Sequence, residues 1–503
     1  MASTRTIGTT GALAVAIAAA IVVPQLAGSD GSRSAGQPAK VPTGDRAGAT
    51  TAGAGECTRW VAPTGDDRDP GGPNAPWATL EHAVEAVPDR GCTVWFEDGV
   101  YRGTSEIERR FSERTVFRAV NDYRAILQSR RMVLDIGDAA SLMTFTGFRI
   151  RQVAGGSGVA VYVSGDTANQ PAPHRITFLN NILHDSFDED LMKIRSRARA
   201  ITVRGNVFYN QGANEQHIDV NSVTNVVIER NVFFNAFGAS GRKSPGTTKH
   251  FIVVKDSNEG DDGLRGSERI AIRRNVFLNW QGGTESFVGI GNDGKPYHEA
   301  EHVWIQNNLM IGNSRADVIA PLTVYGARDV TFANNTVIGD LPADAYAFEM
   351  DRKGRNPRNQ AIRFRNNIWS DPTGTMGSFS DGDRVDTTTL ALENNLYWNG
   401  GRKIPGGDLV SPLRHDARRV VRDPLLPTDH RSVVVPVWEE TSFRSGASSI
   451  LDEFARLVIT YGEIPEESPA VGRALPIPAP PTDILGRPRD GEPDLGAFEV
   501  QAA

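Results

Sequence analysis

Cysteine is almost missing from this 503-residue sequence. The only two, Cys57 and Cys92, have no metal-ligand spacing and are the number that makes one bridge, so a single disulfide is expected. A basic excess is missing as well: the formal net charge is −7 at pH 7, which argues against a general nucleic-acid binder. No glycine-rich phosphate loop and no Ser-His-Asp arrangement can be placed. Charge is absent between Thr6 and Ser29, where Ala12 to Val23 is apolar behind Arg5; this predicts an export signal over residues 1–27, or an uncleaved N-terminal anchor. Residues 28–55 are rich in Gly, Ala, Ser, Thr and Pro and are expected to form a disordered linker to a secreted or cell-surface domain.

What the chain does have is repetition. Ile176-Thr-Phe-Leu-Asn-Asn-Ile-Leu-His184, Ile201-Thr-Val-Arg-Gly-Asn-Val-Phe-Tyr209 and Val227-Ile-Glu-Arg-Asn-Val-Phe-Phe234 are one phrase: a short strand, an Asn, a second short strand. The aligned residues are Asn181, Asn206 and Asn231, and the phrase returns at Asn275, Asn308, Asn335, Asn367 and Asn395. A period of this size, built from β-branched and aromatic residues, marks a solenoid whose coils bury their apolar faces only by stacking. The Asn is expected to take the left-handed bend at a corner and to bond its amide to the Asn of the neighbouring coil.

These phrases resemble the right-handed parallel β-helix of the pectate-lyase-like superfamily. The resemblance implies an all-β, single-stranded solenoid over 111–400. A cap and first coil are expected over 56–110, where Trp77, Leu80, Ala83, Val84 and Val87 have helical spacing. Trp60-Val-Ala-Pro-Thr-Gly-Asp66 is similar to the N-terminal cap of secreted β-helix proteins, and Thr482 to Glu499 to their closing stretch. C-terminal coils and a cap wrapped on the last coils are expected over 401–503, with a helix from Ile450 to Tyr461. Such a scaffold hosts many chemistries, so function has to be argued from a site.

A third strand per coil is expected at Leu191–Arg195, His217–Asn221, Phe251–Lys255 and Phe287–Gly291. With Met192/Ile194, Ile218/Val220 and Ile252/Val254 inward, Lys193, Arg195, His217, Asp219, Asn221 and Lys255 face outward on one patch. Arg197 and Arg199 would extend a row of cations begun by Lys193 and Arg195, suited to a polyanion. Asp188, Asp190, Glu215 and Asp219 on neighbouring coils could supply oxygen ligands to Ca²⁺.

The arrangement is similar to polysaccharide lyase family nine, which implies calcium held by Asp190, Glu215 and Asp219 and Lys255 as the base. That family's Asp-Asp-Gly-x-Asp is replaced here by Glu215-Gln-His-Ile-Asp219. The resulting expectation is a monomeric enzyme performing calcium-assisted β-elimination on an acidic polysaccharide. In it Lys255 is the base with its pKa depressed by neighbours, Lys193 and Arg195 lie at the reacting sugar, and His217, Asn221 and Arg197 bind substrate. Two alternatives stand beside it: a glycoside hydrolase pairing Asp188 or Asp190 with Asp219, and a non-catalytic surface solenoid that binds glycan.

Overall fold

The computed structural model describes residues 57–501, apart from 166–169, 243–246, 284, 315, 317, 342–343, 477–480 and 490. The export segment and the linker expected over 1–55 lie outside the described residues. From Cys57 onward the chain winds through three long parallel sheets. One is 12-stranded, from Thr58–Val61 to Leu390–Glu393; a second is 10-stranded, from Ser105–Ile107 to Ser380–Asp381; the third is 12-stranded, from Gly99–Arg102 to Val420–Val421. Each strand pairs with its counterpart one coil on, as Val203 does with Ile228 and then Ile272. Parallel strands linked in this way make right-handed crossovers. The inward positions are fully buried Val, Ile and Phe, including the stack Phe208, Phe233 and Phe277.

The repeated asparagines form an unbroken buried ladder. The backbone N and side-chain Nδ2 of Asn181 both donate to Asn206 Oδ1 (2.9 and 3.1 Å), and the same pair of bonds links each Asn to the next as far as Asn367 and Asn395. Asp416 ends the series by accepting from Asn395 N and Nδ2, both at 2.9 Å. Each Nδ2 also serves a strand carbonyl of the preceding coil, as Asn275 does for Ile228 O at 3.0 Å. The left-handed bend, however, falls one residue earlier than expected: Asn180, Gly205, Arg230, Arg274, Asn307 and Asn334 have φ between 53° and 63°. The predecessor turns the corner, while the ladder asparagine spends its amide along the stack.

At the N-terminal end, the helix Leu80–Ala86 is capped by Thr79, whose side chain accepts from His82 N, and buries Leu80, Ala83 and Val84 over the first coil. The Cys57–Cys92 disulfide fastens the first strand beside it. At the other end the chain does more than cover the last coils. The helix Ile450–Gly462 and the residues after it bury Phe454, Leu457, Val458, Leu495 and Phe498 against Ile182, Val232, Val276, Leu309 and Ile368 on the outer face of the third sheet. The strap reaches back to the early coils, where Ile450 N meets Tyr123 Oη at 3.3 Å and Trp438 packs edge-on to Tyr123. The third sheet carries apolar side chains outward and needs this cover; the second carries charge.

Candidate functional site

The outward face of the second sheet is a grid. Lys193 is level with Asp219, then Val253, Gly289, Thr323 and Glu349 on successive coils, spaced by about 4.8 Å. Two residues along, Arg195 is level with Asn221 and Lys255, and further on Tyr325 is level with Asp351. The strands are those expected, Met192–Arg195, Glu215–Asn221, Thr248–Lys255 and Ser286–Ile290, with Met192, Ile194, Ile218, Val220, Ile252 and Val254 buried.

Lys193, Asp219 and Lys255 do meet. Lys193 Nζ is 3.1 Å from Asp219 Oδ2 and 3.5 Å from Asp190 Oδ2, while Lys255 Nζ is 3.7 Å from the same Asp219 oxygen and 3.6 Å from Asp293 Oδ2. The Asp190 and Asp219 side chains are 1% exposed, Lys193 20% and Lys255 14%. Burial works against the charge of both lysines, yet Asp219 with Asp190 raises Lys193, and Asp219 with Asp293 raises Lys255. This reverses the expected depression of Lys255: it is an ammonium ion at rest. Asp190 moves well above the ordinary carboxylate range, through burial and then through Asp219.

Other residues of the patch go elsewhere. His217 is not on the flank: it is 0% exposed, stacked on Phe251 at 4.5 Å in the interior, with Nε2 against Asn235 Oδ1 at 3.1 Å, and burial lowers its pKa to about 3. The alternation slips where the strand begins, next to a register irregularity between Glu215 and Gln216. Asn221 faces outward but is 1% exposed, its amide spent on Ser257 Oγ (2.6 Å) and Ser257 N (2.9 Å). The row of four cations also breaks. The strand ends at Arg195, Ser196 and Arg197 turn with φ of 49° and 68°, and Arg199 begins a strand of the first sheet. Arg195 Nη2 donates to Asn258 Oδ1 at 2.8 Å and borders a polar cleft of about 530 Å³ with Ser257, Glu259 and Lys295.

Calcium takes about six to eight oxygen ligands, and the four acidic residues do not converge as such a shell. Asp188 is exposed and accepts from Gly158 N at 2.8 Å, on the preceding coil. The ammonium of Lys193 stands between Asp190 and Asp219, where a cation would have to sit. Glu215 is half-buried, with its pKa raised by burial and tempered by Lys193 and Lys249. Among the described residues, no group of three or more His, Cys, Asp or Glu side chains is placed to hold a metal ion. The residues present do not fit calcium while Lys193 occupies that position.

Sequence reasoning missed a second cluster on the same face. His250 is fully buried beside Gly289, its Nδ1 3.0 Å from Ser286 Oγ, and Ser286 Oγ lies 2.9 Å from Thr323 Oγ1. Tyr325 Oη donates to Glu349 Oε1 at 2.9 Å, and Lys353 Nζ sits 4.0 Å over the Tyr325 ring. Burial raises the pKa of both Glu285 and Glu349. The available signal was Phe251 beside Ile252 and Phe287 beside Val288: consecutive large apolar residues at the strand entries, all buried, mark where the alternation slips.

No protein-family model and no curated protein matches the sequence. Solved structures do resemble the fold. XylC in complex with xylose aligns at 10% identity with a TM-score of 0.52, over 88% of this chain and 98% of that one. Pectate lyase Pel9A aligns at 14% identity and a TM-score of 0.44 over 89% and 98%. An alginate lyase from a Paenibacillus species aligns at 13% and 0.41 over 67% and 95%. Three parallel sheets wound coil upon coil, with an asparagine ladder at one corner, give this chain the fold of a parallel β-helix.

Proposed function

We propose that the chain is an extracytoplasmic enzyme that hydrolyses glycosidic bonds of an acidic polysaccharide on the outward face of the second sheet. The observation that carries this reading is the charge state of the flank. Lys193 and Lys255 are held as ammonium ions chiefly by Asp219, with Asp293 beside Lys255, whereas burial pushes Asp190, Glu215, Glu285 and Glu349 toward the protonated acid. Ammonium groups bind sugar carboxylates, and a protonated carboxyl can give its proton to a glycosidic oxygen while a carboxylate directs water to the sugar carbon. A free amine for β-elimination is what the flank lacks. The disulfide supports a location outside the reducing cytoplasm.

Elimination stays as a second reading on one observation: the two ammonium groups converge on one oxygen of Asp219, an arrangement that would also stabilise an enolate forming beside them. Digestion of a panel of polyuronates and neutral polysaccharides separates the readings. Hydrolysis gives new reducing ends without unsaturated sugar, elimination gives both, and binding without any product would leave a glycan-binding solenoid.

A further inference from the structure

Between the strands Thr248–Lys255 and Ser267–Arg273 the chain runs through loop 256–266, which leans back over the coil of Arg195. It is fastened at several points. Asp256 is 0% exposed and accepts from Asn258 N, Gly266 N and Tyr297 Oη, each at 2.8 Å. Glu259, further along, is paired with Lys295 at 3.3 Å and Arg355 at 3.1 Å from later coils. The loop is thereby a fixed wall of the polar cleft of about 530 Å³ that Arg195 borders.

Across that cleft Arg195 is held without being neutralised. Its Nε donates to Ser196 Oγ at 3.0 Å and its Nη2 to Asn258 Oδ1 at 2.8 Å, both uncharged acceptors. The Asn258 amide has one orientation here, because its Nδ2 donates to Asp262 Oδ2 at 3.1 Å and a guanidinium only donates. Three of the five guanidinium N–H groups are left over, and among the described residues no carboxylate pairs with them. The acids that line the cleft are engaged away from Arg195. Glu259 serves the two cations of later coils, Asp262 accepts from Asn258 and from Leu264 N at 3.0 Å, and Asp261 is exposed at the rim. By contrast, Lys193, Lys255 and Lys295 each have a carboxylate partner.

The cleft joins the flank through Ser257, whose Oγ donates to Asp293 Oδ2 at 2.7 Å, the oxygen that Lys255 Nζ meets at 3.6 Å. Arg195 and Lys255 are level and two coils apart, about 9.6 Å at the spacing of neighbouring strands. A glycan laid along the coils passes both.

We propose that this cleft is a subsite for the carboxylate of a uronic-acid residue, with Arg195 as the residue that selects it and Asn258 as its positioning residue. This rests on the reading of an acidic polysaccharide above and says where one of its carboxylates is recognised. A carboxylate presents two oxygens in one plane, which match the parallel N–H groups of a guanidinium, and two such bonds orient the sugar as well as hold it. The cation and its wall are already fixed, so little ordering opposes binding.

The test uses the full chain with oligomers of galacturonate, glucuronate and mannuronate, each beside its carboxyl-reduced form, and reads Kd by calorimetry and KM by initial rates. Wild type should prefer one uronate to its reduced form by on the order of 10-fold or more, the scale of hydrogen bonds to a charged group. In Arg195→Met that preference should fall by the same factor, with a rise in KM larger than any fall in kcat. Arg195→Lys, which keeps the charge and loses the fork, should retain part of it. Asn258→Asp, which sets a carboxylate against Arg195, should lower the preference as Arg195→Met does, although the guanidinium remains. Equal wild-type affinity for every uronate and its reduced form, or an undiminished preference in a folded Arg195→Met, overturns the subsite. A wild type that shows the Arg195-dependent preference but cleaves no glycan refutes the hydrolytic reading and leaves the subsite standing.

Discussion

Lys193 Nζ lies 3.1 Å from Asp219 Oδ2 across adjacent coils, and it holds Asp190 Oδ2 at 3.5 Å with the same charge. One ammonium thus serves two buried carboxyl groups. Replacing it by Met leaves both without their nearest cation, and removal of one partner from a buried ion pair costs about 3–5 kcal/mol. Lys193→Met should lower the unfolding free energy by that order in urea titration. Pairing it with Asp219→Asn should recover part of the loss.

Asp190 adds a pH signature. Its carboxyl is raised in the fold by burial and by Asp219. The native state therefore holds a proton that the unfolded chain has released, and this contribution is lost as pH rises from the ordinary carboxylate value through the folded one. Stability measured at about pH 5 should exceed that at about pH 8 by less in Asp190→Asn than in wild type, since Asn keeps the bond from Gln216 N without titrating.

The asparagine ladder should be most costly to cut in its middle. Asn275→Ala removes the acceptor of Asn231 N and Nδ2 and the donor to Ile228 O, all buried. At about 1–3 kcal/mol for each group left unpaired, urea unfolding should report a loss of several kcal/mol. Asn275→Asp, which keeps the acceptor but not the donor, should be milder only at low pH.

Gly289→Ala is expected to cost stability without breaking the coil. The new Cβ forces the His250 ring to move, an overpacking cost of about 1–3 kcal/mol. Urea unfolding should report that loss, while the far-ultraviolet circular dichroism of the solenoid stays unchanged.

Calcium dependence is equally open to measurement. With Lys193 between Asp190 and Asp219, a chelator should leave wild-type cleavage rates unaltered. A rate restored by calcium after chelation would show that the Lys193 side chain swings aside for the ion.

Much of this was legible in the sequence because a solenoid turns sequence spacing into lateral distance. The eight asparagines gave the coil, and the alternation of Met192, Lys193 and Ile194 with Ile218, Asp219 and Val220 placed Lys193 beside Asp219. Lys255 is level with Asn221, and its flexible stem still reaches Asp219 at 3.7 Å. The rest depended on facts that spacing does not carry. The alternation slips at the strand entries, so that His217 is stacked on Phe251 in the interior while His250 lies beside Gly289. Burial lowers Lys255, and Asp219, then Asp293, a loop residue one coil away, raise it. The reach of the C-terminal strap depended on which sheet presented apolar side chains outward, as Val207, Val232 and Val276 do.

The most direct test of the central claim is product analysis of acidic polysaccharides digested by the wild-type chain and by Lys255→Met. Hydrolysis with Lys255 as a carboxylate-binding ammonium predicts new reducing ends from wild type, no unsaturated sugar, and a rise in KM in the variant. Unsaturated ends from wild type that vanish in Lys255→Met would contradict it and make Lys255 the base.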